Sequence, residues 1–194
     1  MNFVFSGSNT NFLGDAFFNA NDNTDDLNVV SSTSTQIVLL NSATGVTTTV
    51  TGSGFGFTPT GEPTGGTITG MTFTQSGVTQ GTISGISWSL VAFSAALDAV
   101  DASGNFGPLV ALFNQTALNI DASSASSGFS MVEAFGPLMP LLTQPATVQG
   151  SGFSDTLLGT SGNDTINPGE NDGSGDLITA CLLYTSPSPR DIGE

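Results

Sequence analysis

Three aspartates late in this 194-residue chain each stand two positions before an aliphatic residue: Asp155 before Leu157, Asp164 before Ile166 and Asp176 before Ile178. Asp155 and Asp164 are nine residues apart, and each closes a glycine-containing run, G-S-G-F-S-D from Gly150 and G-T-S-G-N-D from Gly159. A third run, Pro168 to Ile178, keeps the Asp–Ile relation but places it three residues late. Carboxylates beside bare backbone carbonyls make an all-oxygen donor set, which suits a hard cation such as calcium with its six to eight oxygens at roughly 2.3 to 2.6 Å. Glycine permits the tight or left-handed backbone that exposes those carbonyls. Period-two alternation places each aspartate and its aliphatic residue on one side of a short strand, so one segment can run from an oxygen-rich turn into a core. The plainer alternative is a polar Gly/Asn/Asp loop, since these residues are common turn formers.

The run from Gly159 to Asn167 resembles the nonapeptide G-G-x-G-x-D-x-U-x of repeat-in-toxin (RTX) proteins, with Thr160 at the second glycine. Gly150 to Leu158 resembles it in the preceding register, with Phe153 at the third glycine. In that family one coil uses two nonapeptides, and an ion lies between equivalent turns of successive coils. The resemblance therefore implies calcium as cofactor and a ligand set drawn from Asp155, Gly159, Gly162, Asp164, Asp172 and Asp176. It pairs Asp155 with Asp176 and leaves Asp164 to a partner beyond the recognisable repeats. It also implies a secreted, extracellular protein that leaves through a type I exporter reading a carboxyl-terminal signal.

Composition changes at Cys181. The only Cys, the only Tyr and the only basic residue, Arg190, all fall between there and Glu194. C-L-L-Y-T-S-P-S-P-R-D, from Cys181 to Asp191, resembles a translated sequencing adapter, so residues 181–194 are expected to be non-native and are set aside from fold reasoning.

Removing Asp191 and Glu194 from the sixteen acidic residues leaves fourteen in residues 1–180, with no Lys, Arg or His. Phosphate recognition relies on Arg and Lys, so nucleic acid is not an expected partner, and anionic membranes would repel the chain. Without His, Cys or Lys in this stretch there is no Ser-His-Asp or Cys-His catalysis, no HExxH protease and no usual zinc site. The expectation is not an enzyme. Met1 to Asn11 lacks the basic and apolar regions of an export signal. The longest apolar stretch, Leu90 to Val100, is broken by Ser94 and Asp98 and is too short to span a membrane.

Charged residues are only 9% and hydrophobic ones 38%, enough for one core. The predicted fold is α+β: a curved antiparallel sheet with two or three helices in residues 1–144, then an incomplete parallel β-roll in residues 145–180. Strand patterns run over Asn2–Phe5, Leu27–Val30, Gln36–Leu40, Gly45–Phe57, Gly66–Gln75 and Val78–Leu90, with Ile86, Trp88 and Leu90 on one buried face. Helices are predicted over Leu90–Ala102, Pro108–Leu118 and Phe129–Leu142, the last weakened by Gly136, Pro137 and Pro140. F-T-P-T-G-E-P from Phe57, with S-G-N at Ser103 between two helices, is distantly similar to secreted haem-scavenging hemophores. That resemblance implies a tyrosine iron ligand where this chain has Phe57, so no haem site is expected.

Two other constellations have bland readings. Asp22, Asp25 and Asp26 could bind calcium but fail the EF-hand spacing and read as a solvated loop. Glu62 and Glu133 could form a glycosidase pair but lie in turn-like and helix-like surroundings. The leading functional expectation is a secreted calcium-binding RTX-type protein whose repeats fold on calcium after export, with an amino domain of unassigned role. The alternatives are the amino-terminal part of a secreted hydrolase and a structural or adhesive surface module. Deleting Cys181 to Glu194 is expected to leave the melting temperature nearly unchanged in thermal denaturation. A large drop would show that this segment belongs to the fold.

Overall fold

A computed structural model describes residues 1–17, 27–169 and 175–179. Period-two alternation builds the middle of the chain: in β4 (Val46–Phe57) Val46, Thr48 and Val50 are buried while Thr47, Thr49 and Thr51 face the other way. Strands β5 (Pro63–Gln75) and β6 (Val78–Ser89) bury Met71, Phe73 and Ile83 on the same side. A two-residue turn at Ser76 and Gly77, with φ of 51° and 78°, joins them. Positive φ at both positions matches the twist of paired strands. Further along, Gly70 pairs with Ser84 but Ile68 pairs with Trp88, so β6 carries two extra residues and Ile86 and Trp88 again point inward. Gly85, at φ 67°, lies within that bulge.

Helix α2 (Leu90–Ser103) starts where the Ser89 side chain accepts the Ala92 N–H and stops at left-handed Gly104. Its Phe93 stacks on Trp88 at 5.9 Å between centroids, and α3 (Gly107–Phe113) brings Phe113 to 5.2 Å from the same ring. Beneath the sheet centre, β1 (Asn2–Phe5) points Phe3 and Phe5 at α1 (Phe12–Phe17), at Phe129 and at α4 (Met131–Phe135). Phe5 lies 4.8 Å from Phe129, Phe3 lies 4.7 Å from Phe135, and Phe12 lies 5.0 Å from Phe73.

The remaining strands are β2 (Leu27–Ser32), β3 (Gln36–Asn41), β7 (Leu118–Asp121), β8 (Ala146–Gln149), β9 (Thr156–Leu158), β10 (Thr165–Asn167) and β11 (Leu177–Thr179). Nine of the eleven described strands form one sheet in the order β10-β8-β7-β1-β6-β5-β4-β3-β2, and β9 pairs with β11 in a second, parallel sheet. β1 is antiparallel to β6 on one side and parallel to β7 on the other, and β7, β8 and β10 continue in parallel.

This overturns the α+β expectation of a curved antiparallel sheet followed by a parallel roll. Among the described residues the structure is mostly β, 44% strand against 22% helix, and the large sheet is mixed. The reason lies at Leu118: the end of the expected helix is a strand that buries Leu118 and Ile120 and pairs with β1, drawing β8 and β10 into the same sheet. The third helix is also shorter than expected. α4 covers only Met131–Phe135, and a 3₁₀ segment with Pro140 inside it follows over Gly136–Leu141; proline cannot donate a helical hydrogen bond. One cluster of buried hydrophobics runs from Met1 to Leu157, across position 144.

Ile86, Trp88, Leu90 and Phe93 are buried as the alternation requires, and Leu97 is partly buried against them. Trp88→Ala is expected to cost about 3 to 5 kcal/mol, as for other large-to-small changes in a packed core. Urea denaturation measures this, and intrinsic fluorescence of this single tryptophan typical of full solvent exposure would contradict the packing.

Candidate functional site

The two glycine-rich runs fold into turns with the same hydrogen-bond pattern. In the first, joining β8 to β9, the Ser151 N–H donates to Asp155 Oδ2 at 2.7 Å and the Ser151 hydroxyl donates to Asp155 Oδ1 at 2.6 Å. In the second, joining β9 to β10, the Thr160 N–H donates to Asp164 Oδ2 at 2.7 Å and the Thr160 hydroxyl lies 2.7 Å from Asp164 Oδ1. The same hydroxyl is 2.9 Å from the Gln144 carbonyl, a competing acceptor for its one proton. Each hydroxyl oxygen also accepts the N–H two residues on, from Phe153 at 3.1 Å and from Gly162 at 3.0 Å. Residue, hydroxyl and carboxylate thus form a closed clasp of five residues, repeated at the nine-residue spacing.

A second set of bonds ties each aspartate to an earlier stretch of chain. Asp155 Oδ1 accepts the Phe129 N–H at 2.7 Å, Asp164 Oδ1 accepts the Ala146 N–H at 2.8 Å, and Asp176 Oδ1 accepts the Asp155 N–H at 3.0 Å. These bonds follow the parallel ladders, in which Ile166 sits beside Val148 and Ile178 beside Leu157, while Ser130 bridges Thr156. A chain with two strands per coil brings equivalent turns over one another, and the carboxylates bond across the gap.

Burial follows the same order. Asp155 is 2% exposed and Ser151 2%, Thr160 is fully buried, and Asp164 and Asp176 are half-buried. Gly159 donates its N–H to the Thr179 carbonyl at 2.9 Å. Gly162 is required for packing, since a Cβ there would come within 2.9 Å of the Pro145 nitrogen. A Cβ on Gly150 would strike the Pro168 carbonyl oxygen. Asp172 lies outside the described residues, as do Asp22, Asp25 and Asp26.

Calcium can be tested against this donor set. An ionised carboxylate offers about four lone-pair sites, and Asp155 already accepts three hydrogen bonds from donors whose positive ends occupy the approach a cation would use. Asp164 is engaged in the same way. These two turns therefore do not fit an ion in this conformation. Asp176 differs, since its Oδ2 makes no bond among the described residues. Among the described residues no group of three or more acidic, histidine or cysteine side chains could hold a metal.

The other candidates are scattered. Glu62 is exposed in the loop after Phe57, and Glu133 is exposed on α4, where its carboxylate accepts the Thr10 hydroxyl. Phe57, at the position of the hemophore tyrosine, ends β4 at 36% exposure. An open depression of about 310 Å³ beside the first clasp is lined by Ser123, Gln149, Gly150, Ser151 and Gly152, which offer only hydroxyl, amide and backbone groups. Sequence reasoning singled out the aspartates but missed Ser151 and Thr160, although a hydroxyl four residues before each aspartate was the available signal.

No family model, curated protein or solved structure matches this chain. Among the described residues no helix is long and apolar enough to cross a membrane.

Asp155→Ala strands three donors in a buried place, at about 1 to 3 kcal/mol for each unsatisfied group before relaxation. It is expected to destabilise the protein more than Asp164→Ala, whose site is wetter, and Thr160→Val should cost about 1 to 2 kcal/mol for the lost hydroxyl. Urea denaturation of the three variants gives the order. Equal and negligible effects would show that the clasps contribute nothing to stability.

Proposed function

We propose that this chain is the amino-terminal part of an exported repeat protein that serves as a scaffold and not as an enzyme, with the sheet templating the first coils and calcium acting from Asp176 onward. The observation that carries the reading is the clasp repeated at Asp155 and Asp164, nine residues apart, on two parallel ladders. A turn of this kind closes on its own hydroxyl and needs no cation. Asp176 has no such clasp among the described residues and keeps one carboxylate oxygen free, which is the donor that calcium would need. The formal charge of −15 at pH 7 supports the same reading, because added carboxylate-rich coils become foldable when a divalent ion offsets their repulsion.

In this scheme β7 and Phe129 to Met131 supply the first edge on which the coils stack. Stacking onto a preformed edge lowers the ordering cost of each new coil. The polar depression at Ser123 and Gln149 and the absence of basic groups in residues 1–180 favour a binding or surface role over chemistry.

Hydrogen exchange with and without calcium tests both halves. Amides of residues 150–167 should be protected in a calcium chelator, and millimolar calcium should add protection only from Pro168 onward. Loss of protection at Ser151 and Thr160 in chelator would refute ion-independent turns. No calcium effect at any concentration up to 10-fold above millimolar, roughly the weak extracellular range, would refute the calcium half.

A further inference from the structure

The helices all pack on one side of the nine-stranded sheet. Phe12 of α1 meets Phe73, Phe93 and Phe113 of α2 and α3 meet Trp88, and Phe135 of α4 meets Phe3. Among the described residues nothing covers the opposite face, and its side chains fall into ranks. Thr51, Gly70, Ser84, Asn2, Asn119 and Thr147 are successive register partners, and Thr165 follows on β10. Two residues along the strands comes the rank Val38, Thr49, Thr72, Thr82, Val4, Asp121, Gln149 and Asn167. A third holds Leu40, Thr47, Thr74 and, past a register shift in β6, Thr79.

Neighbouring strands lie about 4.8 Å apart and alternate residues along a strand about 6.6 Å apart. On β4, β5 and β6 the ranks are therefore a two-dimensional patch of threonine methyl and hydroxyl groups, at Thr47, Thr49, Thr51, Thr72, Thr74 and Thr82, whose repeats are close to those of water oxygens on the faces of hexagonal ice. Thr49, Thr72 and Thr82 make no side-chain hydrogen bond among the described residues, so their hydroxyls are available to water. Thr51 and Thr74 are held by bonds to the Gly70 and Thr47 carbonyls at 3.2 and 3.4 Å. Side-chain ladders restrain the sheet against twisting, and two rungs are present, from Asn119 to Asn2 at 3.4 Å and from Asn167 to Gln149 at 2.8 Å.

Charge selects the occupant. In a chain of formal charge −15, Asp121 is the one charged residue in these ranks. Cationic and anionic partners both find little to pair with. The ranks hold no aromatic ring or arginine, the residues that dominate protein interfaces and, for the rings, offer stacking to planar or sugar ligands. A neutral, ordered solid that is read by spacing fits. We infer that this face binds ice. The methyl groups order the first water layer in register, and the hydroxyls bond it to the sheet, so joining the lattice costs that water little further order.

The test uses the full chain in ice-affinity partitioning and in a thermal-hysteresis measurement on single ice crystals. The protein should be taken up into growing ice and should hold the crystal below its melting point. Thr72→Tyr and, independently, Thr49→Tyr should abolish both effects with an unchanged circular dichroism melt, because tyrosine suits a strand but breaks the grid. Val91→Tyr, on an exposed position of α2, should retain both. Exclusion of the unmodified protein from ice overturns the inference. So does retention of uptake by a folded Thr72→Tyr or Thr49→Tyr, or equal loss in Val91→Tyr. Binding to crystalline cellulose without uptake into ice overturns it in favour of a glycan surface.

Discussion

The fold depends on β1, because a four-residue strand is paired along both edges. Asn2 to Phe5 bond to β6 in the antiparallel sense, and Asn2 to Val4 bond to β7 in the parallel sense. Within the sheet the two halves of the chain are joined only through this strand's backbone groups, and an unpaired buried backbone group is costly. Its inward side chains, Phe3 and Phe5, are fully or almost fully buried and touch the rings of Phe12 in α1, Phe135 in α4 and Phe129. Losing β1 would separate the hairpin stack from the coils and open the aromatic core in one step. The amino terminus is tethered to the same place, with its ammonium donating to the Ala117 carbonyl at 2.9 Å and to Thr116 Oγ1 at 3.0 Å. Burial there lowers its pKa from the ordinary value.

Parallel stacking beyond β1 changes what a short strand can do. β9, β10 and β11 have three residues each, too few to persist alone. Each centres on an aliphatic residue, Leu157 fully buried, Ile166 partly buried and Ile178 45% exposed. Burial falls with distance from the amino-terminal core. Side-chain packing therefore contributes less at each later coil.

Much of this was legible in the sequence where alternation was clean. Val46 to Thr51 and Ile86 to Ser89 lie in strands where alternation places them, with Trp88 buried, and α2 ends at Ser103, one residue past the expected Ala102. The errors arose where local pattern and long-range pairing disagree. Leu118 to Asp121 is four residues long, and its strand character comes from β1, more than a hundred residues earlier in the chain. No local period reports that. At the site, the aspartates stood out because their spacing repeats, whereas Ser151 and Thr160 looked like departures from a glycine pattern. Their role appears only once a turn brings a hydroxyl back to a carboxylate four positions on.

The scarcity of positive charge explains why the turns are built this way. The chain's one basic side chain is Arg190, so nearly every carboxylate drawn into the interior must be compensated without a side-chain ion pair. Burying a charge without compensation is prohibitive, which leaves an inorganic cation or a set of N–H and O–H donors. Asp155 takes the second route, accepting three hydrogen bonds at 2.6 to 2.7 Å from two N–H groups and one O–H. The choice between routes turns on one position in each run. A hydroxyl at residue 151 or 160 closes the turn from within; a glycine there would remove both the O–H donor and the acceptor for the N–H two residues on, leaving the carboxylate to seek an ion. The same strand-and-turn frame can thus be self-sufficient or ion-dependent according to whether a serine, a threonine or a glycine stands four residues before the aspartate.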